Sequence, residues 1–399
     1  MALEWQAGAV PERLDETNIL CDNRRNIDSS SQGDMYMSQQ TYSRRLEAAQ
    51  AVLKERGIDR LLLGPSADLT YLTGIHAHVS ERLNLLVLPA EGEPAMVVPG
   101  LEAPLIHDGS GRVSLHTWSD ADNPAQLAAT LIGDASTIAV GNKTWAAFLL
   151  RLQGLVKATW QEGDAVLRDL RMCKDAEEIA ALDEAGRLTD EAWMLFVRSG
   201  AISGMTELQA LKKLLAISEE VGLTTPNGII GSGPNSASPH HAGNDRVISD
   251  GDAMVFDWGG TIDGYYSDVT RSAHVGMPGE EYRKVYDIVN DANQATFDVV
   301  RPGVELQELD RAARGLITEA GYGEYFVHRV GHGLGLEIHE EPYLVEGNTM
   351  PMQVGMVFSD EPGIYIPDRF GVRIEDAVVC EESGGRRMNT STHELFILE

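Results

Sequence analysis

The 399-residue sequence has few cysteines, few basic residues and no long apolar run. Its three cysteines, Cys21, Cys173 and Cys380, lack pair spacing, which argues against a disulfide framework or a cysteine zinc site and favours a reducing cytoplasm. Lys and Arg number 32 against 61 Asp and Glu, and the formal charge of -29 argues against nucleic acid or an anionic membrane as a partner. No apolar run is long enough to span a membrane, and the N-terminus is charged too early for a secretory signal. We therefore expect a cytoplasmic protein.

Composition and patterning predict a leader followed by two domains. The chain is too long for one simple core, and 43% hydrophobic residues supply a sizeable interior. Residues 1–36 lack periodicity and include the polar run DNRRNIDSSSQGD, so we predict a disordered or vector-derived leader. Residues 37–165 combine helix spacing that ends at Gly57 with short apolar runs such as NLLVLPA and AMVVPG, which indicates an α/β domain. Residues 166–399 begin with long amphipathic helices, one of them capped by Asp175, and form the second predicted domain.

The stretch FDWGGTIDGYYSDVTR places two aspartates, Asp257 and Asp268, where a buried strand should continue. The preceding run AMVF is short, apolar and bounded by Asp-Gly and Gly-Gly, so it predicts a buried strand that ends at Asp257. An ionised carboxylate at the end of a core strand needs a cation, either from the chain or from a metal.

Further segments supply the missing partners. VGHGLGLEIHEEPY contains His332 and His339, FSDEPGIYI contains Glu361, and GVRIEDAVV contains Glu375 beside Arg373. Four carboxylates and one imidazole make an oxygen-rich set that suits Mn(II), Co(II), Fe(II) or Zn(II). Four buried carboxylates around one divalent ion would stay negative, whereas two ions neutralise them and can share a hydroxide. The sequence therefore predicts a two-metal site.

These motifs resemble those of the creatinase-like, pita-bread metallopeptidases, which include methionine aminopeptidase, aminopeptidase P and prolidase. The two aspartates lie eleven residues apart, the two histidines seven and the two glutamates fourteen. The resemblance covers residues 41–399, because ERGIDRLLLGPSADLTYLTG is similar to the amino-terminal domain of prolidases and aminopeptidase P. It implies an α+β fold, with an amino-terminal α/β domain before a pita-bread catalytic domain, and a homodimer.

The resemblance also implies a role for each site residue. Asp268 and Glu375 would bridge two divalent ions, most favourably Mn(II), while Asp257 holds one ion and His332 with Glu361 holds the other. Glu361 would take the proton of the attacking water. His240, in SASPHHAG, and His339 would contact the substrate and stabilise the tetrahedral intermediate, and Arg373 would bind the substrate carboxylate.

Each residue also has a structural interpretation. A single acidic residue near a turn is more often solvated than a ligand, and His332 or His339 taken alone is as compatible with a structural role as with a chemical one. His241, beside His240, is predicted to be structural. Arg373 is also compatible with a simple ion pair to Glu375 or Asp376. The GSGPNS segment lacks the Lys-Ser/Thr of a phosphate loop, so a nucleotide site is rejected.

The implied activity is hydrolysis of the bond before proline in a dipeptide or short peptide, as in a Xaa-Pro dipeptidase. The alternative within the family is aminopeptidase P, which acts on longer peptides. The complete set of five ligands argues against a creatinase-type amidinohydrolase and against a non-catalytic binding module. An ectoine-type amide hydrolase is a less favoured alternative that the ligand set does not exclude. Asp68, Glu81 and Arg82 are candidates to cap the substrate pocket, although a solvated loop is an equal alternative.

Overall fold

The computed structural model describes residues 37–399. The predicted leader, residues 1–36, lies outside the described residues. Within residues 37–399, no helix has the length and apolar character needed to cross a membrane.

One mixed six-stranded sheet organises the amino-terminal part of the described chain. Its strands are β1 (Arg60–Leu63), β2 (Leu85–Pro89), β3 (Ala95–Pro99), β4 (Ser114–Trp118), β5 (Thr137–Val140) and β6 (Thr159–Glu162). Their order across the sheet is β4-β3-β2-β1-β5-β6. The accompanying helices are α1 (Gln39–Glu55), α2 (Ala67–Thr73), α3 (Pro124–Ile132), α4 (Ala146–Leu155) and α5 (Asp164–Met172). The predicted α/β character of this part is confirmed.

Local sequence explains the first helix and strand. The side chain of Ser38 accepts a hydrogen bond from the Thr41 amide and begins α1, and the chain turns at Gly57, whose φ of 65° favours glycine. β1 follows and buries Leu61 and Leu63 in a core shared with Leu46 of α1. The helix and strand predicted for this segment are therefore confirmed.

The remainder of the chain contains two five-stranded sheets and four longer helices. The helices are α6 (Ala176–Arg198), α7 (Glu207–Glu220), α8 (Glu280–Val299) and α9 (Gln307–Glu319). The first sheet contains β7 (Thr224–Ser232), β8 (Ala253–Ile262), β9 (Tyr265–Tyr266), β10 (Val269–Val275) and β18 (Phe396–Leu398). The second contains β11 (Gly331–Gly333), β12 (Glu340–Leu344), β13 (Val357–Asp360), β16 (Asp376–Glu381) and β17 (Gly384–Arg387), and a separate hairpin pairs β14 (Gly363–Ile366) with β15 (Phe370–Arg373).

Helices pack against both sheets, and α6 also contacts the second sheet at Val357, Ala377 and Val379. Side chains of α6 and α7 pack with β8 and β10, and those of α8 and α9 pack with β13 and β16. A bridge between Thr270 and Glu375 joins the two sheets, and the Glu375 amide donates to the Thr270 carbonyl at 3.1 Å. The bridge therefore places Glu375 directly beside β10.

Two boundary predictions meet different outcomes. Asp175 caps α6 as predicted, in a capping box with Glu178. The predicted domain boundary between residues 165 and 166 falls inside α5, whose Val166 and Leu167 pack into the amino-terminal core. The amphipathic pattern that marks the second domain in the sequence thus begins in a helix of the first core.

The prediction that the buried strand ends at Asp257 is wrong. β8 continues through Asp257 and the two following glycines to Ile262. Gly259 does not stop the strand but admits a close neighbour, since a Cβ there would lie 1.8 Å from the carbonyl oxygen of Ser267. Asp257 therefore projects from the middle of a strand, where backbone pairing on both sides holds it.

Candidate metal centre

The five predicted metal ligands line one cavity of about 770 Å³ between the two sheets. Phe256 and Trp258 pack against Trp193 of α6, so alternation along β8 turns Asp257 to the opposite face, into the cavity. The other four ligands lie at or beside strand ends: Asp268 before β10, His332 in β11, Glu361 after β13 and Glu375 before β16.

The ligand atoms converge although the residues are distant in sequence. Asp268, His332 and Glu375 are buried, and each offers one potential ligand atom within 4.8 Å of the others. Nε2 of His332 lies 3.3 Å from Oε1 of Glu361 and 3.7 Å from Oδ2 of Asp268. The structure therefore brings the predicted ligands together.

The carboxylates of this cluster carry more negative charge than the chain itself balances. Burial raises the pKa of Asp268 and of Glu375 well above the ordinary range, and neighbouring carboxylates raise both further. Burial also raises the pKa of Asp257, against the opposing charge of Arg373. Burial opposes ionisation of Glu361, but the hydrogen bond and charge of His332 lower its pKa to about 2. Such a crowded acidic set with one imidazole fits divalent cations that favour oxygen ligands.

Hydroxyl groups behind the cluster orient its carboxylates. Thr270 donates its Oγ1 hydrogen to Oε2 of Glu375 at 2.6 Å, and Ser359 donates its hydroxyl to Oε1 of Glu361 at 3.2 Å. Partners of this kind restrict the rotation of metal ligands and raise metal affinity. Hydrogen bonds from neighbouring hydroxyl groups therefore hold two of the candidate metal ligands in place.

A buried arginine that the sequence reasoning missed clamps the joint between the sheets. The guanidinium of Arg271, fully buried, donates to the carbonyls of Thr270 at 2.9 Å and Glu375 at 2.7 Å. It also donates to Oδ1 of Asp376 at 2.8 Å. Its only local sign is its place directly after the segment SDVT, since its partners Glu375 and Asp376 lie more than a hundred residues away.

His240 and His339 both line the cavity, as the predicted substrate contacts would. The His339 ring lies 4.2 Å from that of His332, centroid to centroid, in an edge-to-face arrangement. Burial and the neighbouring His332 lower the pKa of His339 to about 4, so its ring is neutral at neutral pH. His241 turns away from the cavity, and its Nε2 lies 2.8 Å from Oε2 of Glu207.

Arg373 lines the same cavity but is bound closely within the protein. Its Nη2 donates to Oδ2 of Asp257 at 2.6 Å, and its Nη1 donates to the hydroxyl of Tyr365 at 3.0 Å. Further hydrogen bonds go to Oγ1 of Thr270 and to the carbonyl of Pro239. The ion pair thus forms with Asp257, not with Glu375 or Asp376.

The sequence reasoning also missed His328, which lines the cavity four residues before His332. Its Nε2 lies 2.8 Å from the hydroxyl of Tyr365, and that hydroxyl also receives the hydrogen bond from Arg373. The spacing HRVGH offered a signal for His328. Tyr365 offered none, because GIYI has the pattern of an ordinary buried strand.

The three candidate capping residues lie elsewhere in the amino-terminal part. Asp68 pairs with Arg171 at 2.6 Å, and Arg82 pairs with Asp120 at 2.6 Å and with Glu81 at 3.9 Å. Among the residues between 37 and 399 that line the metal-site cavity, none of the three candidates occurs. Asp68 lines a neighbouring cavity of about 300 Å³ to which His339 also contributes, so the capping role stays a prediction.

Comparison with known proteins gives a consistent family. Residues 180–382 match the model of metallopeptidase family M24, and residues 45–173 match that of the creatinase/prolidase N-terminal domain. A Mycobacterium tuberculosis protein described as probable dipeptidase PepE is 40% identical over 372 residues, covering 92% of this chain and 99% of that protein. A Xaa-Pro dipeptidase of Lactobacillus delbrueckii subsp. lactis is 31% identical, covering 88% and 98%. The crystal structure of dipeptidase PepE from Mycobacterium ulcerans is 41% identical with a TM-score of 0.85, covering 92% and 100%.

The chain belongs to metallopeptidase family M24. The predicted α+β class, with an amino-terminal creatinase-like domain before a pita-bread catalytic domain, is confirmed. Membership also confirms that the chain is a metal-dependent hydrolase of the peptidase type. The acidic cavity lies within the part of the chain that matches the M24 model.

Proposed function

We propose that this M24 metallopeptidase is a Xaa-Pro dipeptidase, a prolidase, with two divalent metal ions in its cavity. The observation that carries the proposal is the convergence of four carboxylates, two of them buried, and one buried imidazole on a single cavity. The names of the relatives, dipeptidase PepE and Xaa-Pro dipeptidase, support the choice of a dipeptide substrate.

The proposed ligands divide between the two ions as the family motifs imply. Asp268 and Glu375 would serve both ions, Asp257 would hold one, and His332 with Glu361 would hold the other. The mutual proximity of Asp268, His332 and Glu375 supports this division. Mn(II) is the proposed native ion, with Co(II), Zn(II) and Fe(II) as alternatives of similar ligand preference. When bound, such ions polarise a carbonyl group and acidify water.

The side chains of the protein then have distinct tasks. Glu361, which lines the cavity, would accept the proton of the attacking water as a general base. His339, adjacent to His332, would donate a hydrogen bond to the oxygen of the former carbonyl group, and His240, which lines the same cavity, would contact the substrate. Ile229, Ile338 and Val345 offer apolar surface to the proline ring. A proline needs such a pocket because its nitrogen has no hydrogen to donate.

Arg373 remains the proposed partner of the substrate carboxylate. It lines the cavity, and a guanidinium is suited to bind a carboxylate through two parallel hydrogen bonds. Because Arg373 already donates to Asp257 and Tyr365, binding a substrate anion requires it to share or release one of these bonds.

The other proposed properties are less closely tied to the cavity. We propose a homodimer, a cytoplasmic location, and a partner set limited to proline-containing peptides. The excess of 61 acidic over 32 basic residues supports the exclusion of nucleic acid.

A comparison of Leu-Pro with Leu-Pro-Gly tests the substrate assignment. A dipeptidase should cleave Leu-Pro with at least about tenfold higher kcat/KM. Faster cleavage of the tripeptide would assign the chain to the aminopeptidase P type. Inertness toward both peptides with metal bound would favour an ectoine-type amide hydrolase, and failure to bind metal would favour a non-catalytic binding module.

A further inference from the structure

One buried carboxylate outside the metal centre forms several hydrogen bonds with the loop that carries His240. Glu207 is the first residue of α7 and has no exposed surface. Oε1 accepts from the amide and the hydroxyl of Ser232 at 2.7 and 2.6 Å, and from the side chain of Asn235 at 3.1 Å. Oε2 lies 2.8 Å from Nε2 of His241 and accepts from the Asn244 amide at 3.0 Å. Every one of these donors belongs to residues 232–244.

The position of Glu207 favours its charged form. It begins a helix of 14 residues, where the aligned peptide dipoles attract negative charge. Burial opposes ionisation, but the hydrogen bonds from Ser232, His241 and Asn235 lower the pKa of Glu207 below its ordinary value. An ionised carboxylate only accepts hydrogen bonds, so it fixes Nε2 of His241 as a donor.

The two adjacent histidines of this loop have different contacts. His241 is directed to Glu207, while His240 lines the metal-site cavity. The carbonyl of Pro239, immediately before His240, accepts from Arg373 at 3.3 Å. The backbone at Pro239 and His240 is therefore held between Glu207 on one side and the metal centre on the other.

We propose that Glu207 is a positioning residue of the reaction, which holds residues 232–244 so that the His240 ring faces the substrate. This inference rests on the proposed function, because it assigns Glu207 to the same reaction. A merely structural Glu207 would instead stabilise the fold without acting through His240.

A double-mutant cycle in the metal-loaded full chain separates these two roles. Glu207→Gln keeps the shape but removes acceptor capacity, and it should lower kcat/KM for Leu-Pro about 10- to 100-fold, the effect of a small misplacement of a catalytic group, with metal content unchanged. Glu219→Gln, an exposed change on the same helix, should leave kcat/KM unchanged. In the His240→Ala background, Glu207→Gln should cost less than about threefold. An equal loss in both backgrounds would overturn the proposal.

A second measurement reads the position of His240 without turnover. In zinc-loaded protein, the ring resonance of His240, assigned by its loss in His240→Ala, should shift in Glu207→Gln and stay in place in Glu219→Gln. An unchanged resonance in Glu207→Gln would overturn the proposal. Inactivity of the parent on every prolyl peptide would overturn the proposed function and leave this readout intact.

A milder variant covers the case in which Glu207→Gln does not fold. His241→Phe keeps an aromatic ring of similar size but removes one donor to Glu207. We expect a shift of the His240 resonance in the same direction and a smaller loss of kcat/KM, which disappears in the His240→Ala background. Wild-type values for both measurements would contradict the proposal.

Discussion

Glu375 and Asp376 are neighbours in the chain and both are buried, yet they belong to two differently built clusters. Within residues 37–399, the hydrogen bond found for the Glu375 carboxylate comes from the Thr270 hydroxyl. The Asp376 carboxylate meets four donor groups from Arg271, Arg387, Asn389 and His393 at 2.7 to 2.9 Å.

This difference decides which charge the chain balances by itself. Burial and nearby carboxylates raise the pKa of Glu375 well above the ordinary range. Burial acts on Asp376 too, but Arg271 and His393 outweigh it and lower the pKa of that carboxyl. The charge of Asp376 is therefore compensated by groups of the protein, whereas the charge of Glu375 would need a bound cation to compensate it. A buried acidic residue is a ligand candidate when its own chain leaves it unbalanced.

The largest expected effect follows from removing the unbalanced charge. Glu375→Gln should lower metal content and reduce turnover of Leu-Pro by about 10³-fold or more, because bound metal lowers the activation barrier by several kcal/mol. Asp268→Asn should act in the same way. Metal analysis and steady-state kinetics on the purified variants check this.

The same substitution should leave the metal-free protein at least as stable as the metal-free parent, since it relieves repulsion among buried carboxylates. Denaturant unfolding after chelation measures this, and added metal should stabilise the parent more than the variant. A Glu375→Gln variant that kept both ions and near-parental kcat would refute the assignment of Glu375 as a ligand.

The His339→Ala variant tests whether His339 binds substrate or is a metal ligand. His339→Ala should retain the metal content of the parent yet lose about 10²- to 10⁴-fold in kcat/KM, the range for a hydrogen-bond donor or proton-transfer group in the transition state. Loss of metal in this variant would make His339 a ligand, and parental activity would make it structural.

Asp376→Asn tests the balanced side of the comparison. The variant leaves Arg271 buried without its ionic partner, so unfolding should become easier by about 3–5 kcal/mol in the metal-free protein. Glu381→Gln, at the other end of β16 and half-exposed with its partner Arg386, should cost less than about 1 kcal/mol. Urea unfolding of both variants supplies the numbers, and equal stabilities would remove the distinction between the two clusters.

Arg373→Ala gives the smallest expected change and distinguishes two roles. If Arg373 binds the carboxylate of the dipeptide, the variant should lose the tenfold preference for Leu-Pro over Leu-Pro-Gly, about 1.4 kcal/mol of transition-state binding. If Arg373 only orients Asp257, both substrates should slow equally and their ratio should persist. The ratio of the two kcat/KM values is the quantity to measure.

The sequence was informative where chemistry is encoded locally. The five donors, the first helix and strands and the cap at Asp175 all follow from short motifs and periodicity. It was misleading at Gly259, because a strand that continues through paired glycines depends on Ser267 approaching its backbone.

Hydrogen bonds between residues distant in sequence could not be predicted from local motifs. Arg271 clamps Glu375 across 104 residues, and Arg373 reaches the carbonyl of Pro239 across 134. Glu207 occupies an ordinary first turn of a helix, where an acidic residue is expected for reasons of the helix dipole alone. Only the folded structure shows that the carboxylate oxygens of Glu207 accept hydrogen bonds from the loop that carries His240.

Titration of the metal-free protein with Mn(II), read out as turnover of Leu-Pro against ions bound per chain, tests the central claim most directly. The four carboxylates and one imidazole of the cavity predict that activity rises to a plateau at two bound ions per chain, and that Glu375→Gln reaches neither the stoichiometry nor the plateau. Full activity at one ion per chain, or without any bound ion, would contradict the account.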